Sequence, residues 1–151
     1  MSAITEGKPE YELLWQQHFN DPSAKLPDDS VWNFDLGDGT SAGIPGWGNL
    51  EREYYVKEAV TTGSNGQLLI TANRLPGDNP YPVYYGGNAE WSSAKLTTQN
   101  KVHFLYGRIE AVLQLPVGVG TWPAFWMLGA NLPEVGWPQC GEIDIMEHRG
   151  D

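Results

Sequence analysis

The stretch "GEIDIMEH" (141–148) sets three carboxylates, Glu142, Asp144 and Glu147, among the apolar side chains of Ile143, Ile145 and Met146. Two carboxyl groups held close together have a definite chemistry. Ionising the first makes ionising the second harder, so one is available as a nucleophile while the other keeps a proton to donate to a leaving atom. At an acetal carbon that pair is sufficient for bond cleavage, and its spacing decides the stereochemistry: about 5–5.5 Å between carboxyl groups suits a covalent, retaining route, and a wider gap an inverting one.

The element that carries the acids has to bring them to one face. On a helix, at about 100° per residue, Asp144 and Glu147 would point about 200° and 140° away from Glu142, so the set would scatter. On a regular strand Glu142 and Asp144 share a face, but Glu147 has the wrong parity. One extra residue between Asp144 and Glu147, a β-bulge, resets the alternation and brings all three together. The spacing therefore predicts a bulged strand. In it Glu142 and Glu147 behave like residues four apart, about 13 Å between Cα atoms at roughly 3.3 Å per residue. Two Glu side chains leaning toward each other then bring their carboxyl groups to about 5–6 Å, the retaining spacing. Asp144 lies between them, positioned to orient Glu142.

The rest of the chain fits such a strand. Seven Trp, seven Tyr and four Phe beside eighteen Gly and eleven Pro in 151 residues point to a turn-rich β protein with one core. Short runs such as "EREYYVKEAV", "QLLITANRL", "SSAKLTT", "WPAFWML" and "YELLWQQHF" are divided by Gly/Pro-rich pieces, "GDGTSAGIPGWG", "GSNG" and "PGDNPYPVYYGG". In "GRIEAVLQLP" the residues Ile109, Ala111, Leu113 and Leu115 alternate with Arg108, Glu110 and Gln114, which predicts a half-buried strand. The predicted class is all-β, an antiparallel sandwich or jelly roll, in a single domain over residues 1–151.

Charge excludes some partners. Nineteen acidic against nine basic residues give a formal net charge of -10, a field that repels nucleic acid and anionic membranes. No run approaches a membrane span. Cys140 is the single cysteine, so no internal disulfide forms, and a small buried hydrophobe is the plainer reading of it.

Taken in order, "GWGNLEREYY", "LLITANR", "SSAKLTTQNKVHFLYGRIEAVLQLP", "GTWPAFWMLG" and "GEIDIME" resemble successive blocks of glycoside hydrolase family 16, in its endo-β-1,3-glucanase (laminarinase) type. The last is similar to that type's bulged E-x-D-x-x-E signature, of which the lichenase form has one residue fewer. The resemblance implies a concanavalin-like jelly-roll β-sandwich with a concave substrate cleft. It implies a retaining enzyme that hydrolyses β-1,3-glucan by double displacement, with Glu142 as nucleophile, Glu147 as general acid/base and Asp144 assisting. It also implies substrate contacts from Trp122, Trp126 and Trp137, from Asn49 and Glu51 on the glycone side, and from Arg108. Lys95 stands where the family often has Arg, and Val112 where a second Arg is common.

Each of these residues has a plainer reading beside the functional one. The tryptophans suit either a sugar platform or the inter-sheet core. Asn49 and Glu51 suit a turn and a strand edge, Arg108 a pair with Glu110, and His148 the rim of the site. The acids could form a solvated edge or a calcium site, but Ile143, Ile145 and Met146 ask for burial and an EF-hand loop would need Gly at its sixth position. The alternatives to the glucanase are a non-catalytic, lectin-like carbohydrate-binding sandwich and a β-1,3-1,4-glucanase of the same family.

No cofactor is needed for the chemistry. A structural calcium is the one metal the resemblance brings in, and "WQQHFND" (15–21) stands where relatives carry a more acidic segment, so the sequence assigns it no ligands. The expected partner is β-glucan, with no nucleic acid and no membrane, and the expected location is extracellular. By the same resemblance the chain corresponds to the N-terminal half to two-thirds of a C-terminally truncated domain, so a complementary C-terminal segment is expected to complete the fold.

Overall fold

The computed structural model describes residues 11–21, 24–63 and 65–150. The described residues divide into two compact units, one within Leu13–Val102 and the other joining Tyr11 and Glu12 to residues 103–150.

Seven short strands lie among the described residues of the Leu13–Val102 unit. β1 (Asn33–Asp35) pairs antiparallel with β7 (Lys95–Thr97), which sets Asp35 opposite Lys95 with 3.9 Å between their charged atoms. β2 (Tyr54–Tyr55), β6 (Trp91–Ser93) and β5 (Asn73–Arg74) form a three-stranded sheet. β3 (Val60–Thr62) and β4 (Leu68–Ile70) form a hairpin around "GSNG". In that turn the Gly63 N–H donates to the Gln67 carbonyl at 2.7 Å, and Gly66 takes φ +80°, the left-handed conformation that glycine reaches without steric cost. All the described pairs of strands are antiparallel except β2 with β6, which run parallel, as the long connection between them allows.

Among the described residues the buried apolar side chains lie in this unit, Ala59, Val60, Val83 and Ala89, with Asp38, Asn79 and Ser92 as buried polar groups. Buried polar groups need partners, and these have them. The Asp38 carboxylate accepts from the Thr40 N–H at 3.0 Å and from the Tyr84 N–H at 2.6 Å. The Asn79 amide donates to the carbonyls of Pro76 (2.6 Å) and Ala89 (2.8 Å). Asp38 thus ties two Gly/Pro-rich loops together, and the first of them leads into the segment that carries Asn49 and Glu51 and into β2.

The second unit has two strands among its described residues, β8 (Ala124–Leu128) and β9 (Glu142–Glu147), paired antiparallel. A loop with one helical turn, α1 (Leu132–Val135), connects them. The pair extends past its strand ends, since the Gly129 N–H donates to the Gly141 carbonyl (3.3 Å) and the Gly150 N–H to the Thr121 carbonyl (2.8 Å).

Two expected strands differ. "GRIEAVLQLP" does not form a strand: its backbone pairs with no other described residue, and Val112 is fully exposed while Leu113 is 47% exposed. Alternation states which face of a strand would be buried, but a ladder also needs a neighbour to accept its N–H groups. "YELLWQQHF" yields one isolated bridge, Phe19 with Gly66, and an aromatic group in which Trp15 and Phe19 lie 6.5 and 6.1 Å from Trp32.

Candidate active site

The register of β8 with β9 contains the irregularity that the acid spacing requires. Glu142 pairs with Leu128, Ile143 with Met127 and Asp144 with Trp126; the next pairs are Met146 with Phe125 and Glu147 with Ala124. Ile145 has no counterpart on β8 and is the extra residue of the bulge. Cross-strand partners share a face of the sheet, so Glu142, Asp144 and Glu147 lie on one face with Leu128, Trp126 and Ala124. Ile143 and Met146, with Met127 and Phe125, lie on the other. The bulge therefore falls between Asp144 and Glu147, as the spacing predicts. The apolar residues of β9 are less covered than expected, Ile143 at 60% and Ile145 at 39% exposure.

Each acid on this face is associated with one tryptophan. The Trp137 indole N–H donates to Glu142 Oε2 at 2.7 Å, and the Trp122 indole N–H donates to Glu147 Oε1 at 2.7 Å. Trp126 stands opposite Asp144 in the register. Hydrogen bonds of this length to a carboxylate are charge-assisted, and an indole has a single donor with a fixed direction, so each bond orients one carboxyl plane. One oxygen of each glutamate is held, and the other lies outside that bond. The two bonds are exposed, so their contribution is to orientation more than to stability. Arg149 completes the Glu147 side, its guanidinium carbon lying 5.6 Å from the centre of the Trp122 ring.

Sequence reasoning took the tryptophans as sugar platforms or core residues and missed both the role of Trp122 and Trp137 as donors to the acids and the place of Arg149. The available signal was proximity in sequence: Trp137 precedes Glu142 by five residues, Arg149 follows Glu147 by two, and Trp122 lies next to the strand that pairs with β9. His148 contributes its backbone N–H to the Pro123 carbonyl at 3.1 Å. Cys140 is half-buried.

The remaining candidates have other surroundings. Arg108 is exposed and pairs with Glu110 at 2.6 Å, two residues along the same unpaired segment, with its guanidinium 5.9 Å from the Tyr11 ring. Asn49 and Glu51 belong to the Leu13–Val102 unit. There the Asn49 amide donates to Glu51 Oε1 at 3.2 Å, and Glu51 Oε2 lies 2.5 Å from the Tyr55 hydroxyl. Lys95, in the same unit, sits with its ammonium 4.2 Å from the centre of the Trp47 ring. Among the described residues no cluster of three or more His, Cys, Asp or Glu side chains is placed to hold a metal ion, so no calcium position is assigned. No helix among them is long and apolar enough to cross a membrane.

Comparison with known proteins is consistent along the chain. Residues 70–151 match the family model described as XgeA-like, catalytic GH16 domain. A β-glucanase of Rhodothermus marinus is 39% identical over 153 aligned residues, covering 99% of this chain and 48% of that protein. A glucan endo-1,3-beta-glucosidase of Cryptopygus antarcticus is 40% identical, covering 91% of this chain and 46% of that protein. The solved catalytic domain of an endo-1,3-beta-glucanase (laminarinase) from Thermotoga petrophila superposes with a TM-score of 0.82 at 45% identity, covering 94% of this chain and 53% of that one. The chain thus spans about half the length of the relatives it matches. At this level of likeness the all-β jelly-roll class expected from the sequence holds.

Proposed function

We propose that this chain, which belongs to glycoside hydrolase family 16, carries the catalytic strand of a retaining endo-β-1,3-glucanase. The observation that carries the reading is the bulged strand β9: Glu142 and Glu147 face the same way, on positions four ladder steps apart, each with one carboxylate oxygen held by an indole N–H. At roughly 3.3 Å per step that places the Cα atoms about 13 Å apart, within reach of the spacing that a double displacement uses.

In the first half of the reaction the ionised Glu142 attacks the anomeric carbon. The glycosidic C–O bond breaks as Glu147, protonated, donates its proton to the departing oxygen, and a glycosyl ester forms on Glu142. In the second half Glu147, now a carboxylate, takes a proton from water, whose oxygen attacks the anomeric carbon and releases Glu142. Two inversions give net retention. The Trp137 bond leaves one oxygen of Glu142 for attack, and the Trp122 bond leaves one oxygen of Glu147 for the proton.

The substrate class is drawn from the relatives, whose names specify glucan and the 1,3-linkage. Reducing-sugar release from laminarin and from lichenan, measured side by side, tests it. The reading expects faster release from laminarin. Faster release from lichenan would make the protein a mixed-linkage glucanase, and binding of both without release would make it a lectin-like sandwich. A polymeric substrate supports action outside the cell. The reading also includes a complementary segment that completes the sandwich; its support is the half-length coverage and the exposed reverse face of β9 at Ile143.

Asp144 shares the face of Glu142 two residues away and is assigned to orient it. Asp144→Asn is expected to lower kcat by about ten- to a hundredfold with KM little changed, and to move one arm of the pH–rate profile, because a neutral amide replaces a charge beside the nucleophile. A normal rate with an unmoved profile would reduce Asp144 to a scaffold residue.

A further inference from the structure

In the Leu13–Val102 unit Glu51, Glu53 and Tyr55 follow one another at intervals of two, and their side chains meet at the Tyr55 hydroxyl. Their contacts pose a problem of proton count. The Tyr55 hydroxyl oxygen lies 2.5 Å from Glu51 Oε2 and 2.9 Å from Glu53 Oε1. A phenol has one proton to donate, and a carboxylate has none. Two ionised carboxylates on one hydroxyl would leave one contact as an oxygen–oxygen repulsion in a half-buried site, yet both contacts have hydrogen-bond length.

We propose that this cluster holds one proton beyond the phenol's own, carried on Glu51, so that the hydrogen bonds run in one direction from Asn49 through Glu51 and Tyr55 to Glu53. Every atom then has a consistent role. The Asn49 amide donates to Glu51 Oε1 (3.2 Å), the acid proton on Glu51 Oε2 is donated to the Tyr55 oxygen, the Tyr55 proton is donated to Glu53 Oε1, and the Arg52 N–H donates to Glu53 Oε2 (3.1 Å). The short 2.5 Å contact falls on the link that this assignment makes acid to phenol, and short O–H···O distances are characteristic of such strong donors.

The surroundings agree with the assignment. Burial pushes the Glu51 carboxyl above its ordinary range, with the charge of Glu53 adding to the effect, against the opposing influence of Tyr55, Asn49 and Lys95. Tyr55 keeps its own proton, since burial and then the charge of Glu53 hold the phenol far above its usual range. The other charged groups nearby have their own engagements. Lys95 lies over Trp47 and faces Asp35, the Asp38 carboxylate accepts from Thr40 and Tyr84, and the Arg52 guanidinium lies 3.7 Å above the Tyr85 ring.

The sign of the pH dependence follows. A carboxyl whose folded-state affinity for its proton is raised stabilises the fold at low pH, and that contribution is lost as pH rises through the folded-state titration of Glu51. Above it, two carboxylates compete for one phenol proton. The inference stands on the Leu13–Val102 unit alone and does not depend on glucan cleavage.

Carboxyl 13C titration of the intact protein labelled at glutamate, with Glu51 assigned through Glu51→Gln, reads the proton directly. Glu51 is expected to titrate above the ordinary glutamate range. The melting temperature of the unmutated protein is expected to fall across that same interval. In Glu51→Gln the fall is lost, because the amide donates to Tyr55 and accepts from Asn49 at every pH. Titration of Glu51 within or below the ordinary range, or a Glu51→Gln variant that keeps the fall, overturns the proposal.

Discussion

Replacing Glu142 by alanine is expected to lower kcat on laminarin by on the order of 10⁴-fold or more, the scale of losing a nucleophile. Folding should survive, since Glu142 is exposed and its carboxylate is held by the exposed bond from Trp137. The vacated space admits a small anion, so added azide should restore part of the rate and yield a glycosyl azide of inverted configuration, formed in one displacement with Glu147 still acting as acid. The complementary variant, Glu147→Ala, behaves differently. It should still form the glycosyl ester from substrates with good leaving groups, and azide should then release it as a product of retained configuration. The configuration of the two azide products therefore assigns the roles. Retained product from Glu142→Ala with inverted product from Glu147→Ala would exchange them, and no rescue in either would remove the double displacement altogether.

The second large effect is expected at a residue with no functional group. A Cβ on Gly129 would collide with the carbonyl of Cys140 and come within 2.7 Å of Asn131 Oδ1. The Cys140 carbonyl is backbone and cannot rotate out of the way as a side chain would. Gly129 also donates to the Gly141 carbonyl where the chain leaves β8 and returns to β9. Gly129→Ala should therefore force the two strands apart at the end that carries Glu142, destabilising the protein by about 1–3 kcal/mol and lowering the melting temperature by several degrees. Activity should fall with it, because small displacements of a reacting group are costly. Gly77→Ala is the control: a Cβ there meets no atom within 4 Å, so its effect should lie within about 0.5 kcal/mol. Equal midpoints for the two variants in urea would show that the close approach at Gly129 relaxes without cost.

The parts of this site legible in the sequence are those that depend on counting along one strand. Glu147 has the wrong parity relative to Glu142 and Asp144, and only an extra residue reconciles three carboxylates with one face; Ile145 is that residue. The parts that were not legible depend on groups brought together through loops. Trp137 reaches Glu142 because the segment after β8 turns through α1 and comes back, and no periodicity in 129–141 announces that return. "GRIEAVLQLP" failed for a related reason: its alternation was read correctly as a pattern, but pairing is a property of two segments, and no other described segment pairs with it. The shared contacts of Glu51, Glu53 and Tyr55 were legible in principle, since the three stand close together in the sequence, but the reading attended to Glu51 as a sugar ligand and not to its neighbours.

The bulge has one more consequence. Because Glu142 and Glu147 stand opposite Leu128 and Ala124, the distance between them is set by four intervals of regular backbone on β8, and the five intervals on β9 only have to match it. β8 is the ruler and β9 is the thread laid along it, with Ile145 as the slack. A thread one residue shorter, without the slack, would put its two glutamates over the same two marks. The signature with one residue fewer and the signature found in this chain are therefore two spellings of a single measurement, and what such proteins have to preserve is the length of the opposite strand.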